Sequence, residues 1–230
     1  MRLLMLPGLN GSSGLFAPLL ARLDPRLQAE CLDLPTQGPQ DHDSLSRHFA
    51  PRLRSRNESF VLLGESFSSP LVHRLALDPP AGLRGVVFAA GFLGSPQPLM
   101  RLLPWGSVPL PKGVLTRTAL LRLFCLGRDA SPEQLEALRM QLLKLPDVLL
   151  RARLRSLSQL AEPRRSLTLP ALHLRPGQDR LVKSHAGAAL GRHCTELQGV
   201  TIKGPHFILQ QQPDVCAEAI ERFIGALQAR

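Results

Sequence analysis

The chain has 230 residues, of which 44% are hydrophobic and 4% aromatic, and a net charge of +10. This is enough apolar material for one sizeable core, and no apolar run approaches the ~20 residues of a membrane-spanning helix. With no Tyr and one Trp, the chain lacks the stacking platforms of single-stranded nucleic-acid binders, so its basic balance is not read as a nucleic-acid surface.

Taken in order, the first 90 residues alternate between two periodicities. Leu3–Leu6 is short and apolar, as a buried parallel strand is. It follows a single Arg and stops at Pro7, too short for a secretory h-region, so a protein made and kept in the cytoplasm is expected. Ser13 to Leu23 carries Leu15, Phe16, Leu19, Leu20 and Leu23 at helical spacing. Leu27–Leu32 reads as a strand, Ser44–Leu53 as an amphipathic helix, Phe60–Leu63 as a strand, Phe67–Leu77 as a helix and Gly85–Ala90 as a strand. Such alternation predicts a parallel sheet covered on both faces.

The alternation stops between residues 93 and 165, which show no convincing strand. Pro96, Pro98, Pro104, Pro109 and Pro111 break the first part into short pieces, and Thr116–Leu126 reads as helical. Ser131-Pro132-Glu133-Gln134 is a helix start, with Ser at the cap and Gln three residues on. Asp147 is expected to cap a further helix carrying Leu150, Leu154, Leu157 and Leu160. The segment holds twelve Lys/Arg against five Asp/Glu, so +7 of the total charge sits on a predicted helical insertion. Alternation resumes with a strand at Ala171–Leu174, a helix at Val182–Leu190, a strand at Glu196–Val200 and a closing helix at Pro213–Leu227. The expected organisation is a core of residues 1–92 and 166–230 with a helical cap at 93–165.

Chemistry collects at the predicted strand ends. Val61-Leu62-Leu63-Gly64-Glu65-Ser66-Phe67-Ser68 runs from a strand into a helix through a serine flanked by small residues, the nucleophile-elbow pattern. Small side chains at 64 and 68 let the two backbones approach, and Ser66 is left exposed at the carboxyl edge. A serine needs a base from another loop of that edge; Gly204-Pro205-His206-Phe207 supplies His206. The base needs an anionic partner, and Asp179 lies in the loop Arg175–Leu181. An oxyanion requires backbone donors: Phe67 N–H after the nucleophile and Leu9 N–H in the turn Leu6-Pro7-Gly8-Leu9-Asn10-Gly11-Ser12. Ser66, Asp179 and His206 each end a different strand, where the loops of an open parallel sheet gather.

With these residues the sequence resembles the α/β-hydrolase superfamily over essentially its whole length. "LPGLNGS", "LLGESFS", "LRPGQDRLV" and "GPHFILQQQP" stand where that fold carries its oxyanion loop, elbow serine, acid and histidine. The compact core with a helical insertion is similar to small carboxylesterases, including the pimeloyl-acyl-carrier-protein methyl ester esterases. Two departures are Pro7, where many relatives have His, and the absence of two leading antiparallel strands. The resemblance implies an α/β sheet of about six strands with a helical cap after the fourth. It also implies serine hydrolysis of carboxylic esters of short to medium acyl chains, without metal or other cofactor. Alternatives are a methyl ester esterase acting on an acyl-carrier-protein-linked substrate, with an acidic carrier meeting the basic cap, a thioesterase, and a non-catalytic binding protein on the same fold.

Other candidates carry blander expectations. His42, His48, His73, His173, His185 and His193 are read as surface or packing residues, and Asp33 as loop structure. Glu65 either lines the pocket or binds the core. Cys31, Cys125, Cys194 and Cys216 lack metal or redox spacing and read as packing residues.

Overall fold

The computed structural model of the chain describes residues 1–97 and 112–230. The prolines expected to break the chain at 98, 104, 109 and 111 lie outside the described residues.

A six-stranded sheet organises the molecule. Its strands are β1 (Arg2–Leu6), β2 (Ala29–Cys31), β3 (Phe60–Glu65), β4 (Leu83–Ala89), β5 (Ala171–Pro176) and β6 (Leu197–Ile202), in the order β2-β1-β3-β4-β5-β6. Every pairing is parallel. The central strands, β3 throughout and β4 at all but Arg84, are buried because helices cover both faces. Alternate residues serve opposite sides. Leu4, Leu62 and Phe88 pack on one face with α2 (His42–Arg54), α3 (Ser69–Leu77) and α8 (Ser184–His193). Leu3, Met5, Val61 and Val87 pack on the other with α1 (Ala17–Leu20) and α10 (Pro213–Gln228).

Chain order fixes where a site can form. After β1 the chain turns outward to the edge strand β2, then returns to add β3 on the other side of β1. The loops leaving β1 and β3 therefore diverge, opening a crevice at their carboxyl ends. Between β4 and β5 the described residues form α4 (Lys112–Leu115), α5 (Thr118–Leu121), a wide turn at Arg122–Leu126, α6 (Pro132–Lys144) and α7 (Asp147–Ser158), with no strand among them. Two small apolar clusters seat these helices. Leu121, Leu126, Leu135 and Leu138 meet Leu15 and Phe207, while Leu145, Leu149 and Leu150 meet Leu9. Among the described residues no helix is long and apolar enough to cross a membrane.

Several boundaries moved for local reasons. The helix expected over Ser13–Leu23 is a short turn at Ser13–Leu15 followed by α1; Pro18 cannot donate to a preceding carbonyl and suits only a first turn. The start of α2 moves back to His42, because the Asp41 carboxylate accepts from Ser44 N at 2.9 Å. At α6 the expected cap is present, with Ser131 and Gln134 bonded reciprocally. Asp147, expected as a cap, is instead the first residue of α7 and makes no cap bond; its carboxylate pairs with Lys112 Nζ at 2.6 Å. The last helix is preceded by an unanticipated turn, α9 (Ile208–Gln211). All four cysteines are free thiols, Cys194 and Cys216 being buried.

Candidate active site

The β3–α3 junction is built around Ser66. Its φ of +47° puts a residue with a Cβ in the left-handed region, a strained conformation that holds its side chain out of the strand. Such a bend requires close backbones. A Cβ on Gly64 would stand 2.6 Å from Val72 Cγ2 and 2.7 Å from Ser68 O, so glycine is needed there. Ser68, read from sequence only as a small residue, has a bonding role. Its hydroxyl donates to Pro7 O at 2.5 Å, tying the elbow to the loop after β1.

The loops after β5 and β6 are bonded to each other, Gln178 N donating to Gly204 O at 2.9 Å. They carry Asp179 and His206. The Asp179 carboxylate accepts from Leu181 N and Val182 N through Oδ1, both at 2.9 Å. Its Oδ2 lies 2.7 Å from His206 Nδ1, and His206 Nε2 lies 2.8 Å from Ser66 Oγ. A carboxylate can only accept, so Nδ1 carries the proton and Nε2 is left to accept from the serine hydroxyl. Burial would raise the Asp179 carboxyl, but the His206 hydrogen bond, its charge and the two amides outweigh burial and hold it below its ordinary value. The imidazole itself is buried. Three side chains far apart in sequence thus meet at one sheet edge. The amides proposed to receive an oxyanion, Leu9 and Phe67, lie in the loop after β1 and in the turn that begins at Ser66, and Leu9 lines the cavity.

A cavity of about 640 Å³ opens above this edge. Ser66, His206, Gly8 and Leu9 lie at its base, and Leu121, Phe124, Leu138, Leu142, Leu150, Leu154 and Leu157 line it from the helices between β4 and β5. The lining is mostly aliphatic, which suits an alkyl chain.

Glu65 settles between its two expected roles by taking both. It borders the cavity, and its buried carboxyl accepts from Gly8 N at 3.2 Å and Gln210 Nε2 at 2.9 Å. Burial pushes its pKa up, with Gln210, His206 and Gly8 only partly offsetting it. A carboxyl raised on folding makes the folded state bind more protons than the unfolded one above pH ~4.3, so this group's contribution to stability falls as pH rises through that range. Glu65→Gln removes the ionisation. Its melting temperature, measured against wild type at pH 5 and pH 8, is expected to gain on wild type at the higher pH; a gap independent of pH would contradict this.

Among the described residues His206 is the one histidine bonded to Ser66. His48 stands edge-on to Phe49, and His193 pairs with Glu162. His73 and His173 are buried, and burial pushes each down to about 4. Asp33 accepts from Ser13 N at 2.7 Å, a loop role. Two residues were under-read. His42 is buried against the elbow, its ring 4.7 Å from Phe67. Arg153, counted above among the cationic residues of the insertion, is 1% exposed and reaches Leu9 O. Among the described residues no cluster of side chains could hold a metal ion.

Comparison with known proteins agrees with this architecture. No curated protein matches the chain at a significant level. Solved structures do. The thermophilic esterase from Thermogutta terrifontis is 17% identical, with 99% of this chain and 90% of that one covered and a TM-score of 0.80. The enol-lactonase from Burkholderia xenovorans LB400 is 14% identical, with coverage of 97% and 91% and a TM-score of 0.81. The type II thioesterase BorB from the borrelidin biosynthetic cluster is 20% identical, with coverage of 96% and 91% and a TM-score of 0.70. At these identities the likeness speaks for the fold. The family model of the Alpha/beta hydrolase family matches residues 3–219, nearly the whole sheet and everything it positions, and the chain therefore belongs to the alpha/beta hydrolase family.

Proposed function

We propose that the protein hydrolyses carboxylic esters of short to medium acyl chains through an acyl-enzyme on Ser66. One observation carries this reading: an unbroken chain of hydrogen bonds from Asp179 through His206 to Ser66, at the base of an aliphatic cavity. His206 Nε2 takes the Ser66 proton as Oγ attacks the ester carbonyl. The ionised Asp179 stabilises the imidazolium. Leu9 N–H and Phe67 N–H receive the oxyanion, and loss of one such donor costs ~10²–10³ in rate. The tetrahedral adduct collapses, the C–O bond to the alcohol breaks, and His206 returns the proton to the leaving oxygen. Water, deprotonated by His206, then attacks the acyl-enzyme and releases the carboxylic acid, restoring Ser66. The steps need no metal or cofactor. Residues 93–165 act as a cap that shelters the acyl chain.

A panel of p-nitrophenyl esters from acetate to dodecanoate, with matching thioesters, tests the substrate class. Each methylene buried contributes ~0.8 kcal/mol, roughly fourfold in kcat/KM. The expected result is a rise with chain length to a maximum, and faster cleavage of esters than of thioesters. A flat series would contradict the acyl pocket, and a preference for thioesters would move the assignment to a thioesterase.

The second reading, an acyl group carried on an acidic protein, is favoured by the charge on the helices between β4 and β5. Arg117, Arg122, Arg128, Lys144 and Arg155 are exposed there. A methyl ester linked to an acyl carrier protein would then be cleaved with a strong salt dependence that a small free ester lacks.

A further inference from the structure

Helix α7 reaches the frame of the proposed oxyanion hole from above, at both of its halves. Arg153 and Ser156 are three residues apart, on one face of that helix. The Arg153 guanidinium donates from Nη1 to Leu9 O at 2.9 Å, from Nη2 to Pro35 O at 3.4 Å and from Nε to Gln40 Oε1 at 3.0 Å. Gln40 is held in turn, its Nε2 donating to Pro35 O and Gly38 O. Gly11 admits the guanidinium: a Cβ there would stand 2.1 Å from Nη1. On the other half, His42 Nε2 lies 2.9 Å from Phe67 O, and His42 Nδ1 lies 3.0 Å from Ser156 Oγ. The Phe67 carbonyl can only accept, so Nε2 carries the proton and Nδ1 accepts from the Ser156 hydroxyl.

Both features are unusual for packing alone. Arg153 is a buried cation with no carboxylate within ion-pair distance among the described residues; every acceptor it has is a neutral oxygen. Stability is poorly served by such a charge. Burial lowers it to about 10, still well above neutral, so it remains charged. Burial likewise pushes His42 down to about 4, which keeps its donor and acceptor ends distinct at neutral pH.

We propose that Arg153 and the Ser156–His42 pair are positioning residues: by fixing the Leu9 and Phe67 carbonyls, each one Cα away from the same residue's N–H, α7 holds the backbone of these two residues in the conformation that aims their amides at one oxyanion. The inference rests on the serine-hydrolase reading above. None of the three side chains touches the reacting atoms; Arg153 and His42 each donate to the carbonyl of a residue whose N–H is a proposed donor, and Ser156 acts on the second through His42. A donor displaced by about 1 Å can cost on the order of 10²-fold in rate.

The test uses Arg153→Met and Ser156→Ala in the full chain, with kcat, KM, end-point titration by a fluorophosphonate and inhibition by an alkylboronic acid. The boronate forms a tetrahedral adduct on serine and so reports the oxyanion hole directly. For Arg153→Met, kcat per titrated site is expected to fall roughly 10–100-fold with KM within about twofold, and boronate affinity to weaken by the same factor. Ser156→Ala, a small change at a half-buried position, is expected to keep the wild-type melting temperature and lose roughly 3–10-fold in both quantities. A merely structural role would reduce the number of titrated sites and leave kcat per site and boronate affinity unchanged, which would overturn the proposal. So would a fall in kcat without any loss of boronate affinity. Should the wild type itself neither titrate on Ser66 nor bind the boronate, the serine-hydrolase reading fails and this inference with it.

Discussion

Ser66→Ala is expected to lower kcat on a p-nitrophenyl ester by roughly 10⁴–10⁶-fold, leaving the fold intact. The change removes one oxygen from a site where that oxygen is the proposed nucleophile, while Asp179, His206 and the crevice stay in place. Backbone strain is unaffected, because alanine keeps the Cβ that makes a φ of +47° costly. Circular dichroism and melting temperature should therefore match wild type. Ser66→Gly separates strain from chemistry. It is expected to be equally inactive, yet more stable by about 1 kcal/mol, since glycine adopts positive φ without penalty. A gain in stability together with loss of activity would mean that the elbow holds strain for the sake of the hydroxyl. Retained ester hydrolysis in either variant would sink the assignment.

Asp179→Asn is the second large effect. The amide nearly matches the carboxylate in shape, and its oxygen can still accept from Leu181 N and Val182 N. Its NH₂ then faces His206 Nδ1, where a second N–H cannot be accepted. The imidazole is driven to the other tautomer, with the proton on Nε2, and no lone pair is left for the Ser66 proton. The expected loss in kcat is about 10⁴-fold, with KM little changed. A stability signature should accompany it. The folded Asp179 carboxyl sits below its ordinary value, so its contribution is present above pH ~4 and is lost as pH falls through the folded value. Wild type should therefore be more stable than the variant at neutral pH, and the difference should shrink in acid. A kcat within tenfold of wild type would show that Asp179 does not set the state of His206.

How much of this could be read from the chain depends on which physics left a local trace. The strands were legible because a doubly covered parallel sheet demands unbroken apolar runs, as in Phe60–Leu63. The site was legible because it is made of strand ends, and Gly64, Ser66, Asp179 and His206 each sit where a predicted strand stops. Boundaries governed by a single side chain were less so. The start of α2 turned on one Asp41 hydrogen bond, and the N-terminal helix was shortened by Pro18. Arg153 was missed although its position was periodic: it lies three residues after Leu150 and four before Leu157, on the buried stripe of α7. Counted only as one of twelve cations of the insertion, it carried no sign of burial in its charge; the sign lay in its spacing. His42 likewise lies three residues before Leu45 on the buried face of α2. The hydrogen bonds of Ser68 and Glu65 to the loop after β1 join residues 61 and 57 positions apart; no local pattern carries that information, which exists only once β1 and β3 are paired.

The most direct test is a fluorophosphonate label followed by peptide mapping, on wild type and His206→Ala. If His206 activates Ser66, the wild type will take up one phosphonyl group per chain, on the peptide containing Ser66, in step with loss of esterase activity, and His206→Ala will label slower by orders of magnitude. Phosphonylation at another residue, or full ester hydrolysis by a protein that the reagent leaves unmodified, would contradict the account.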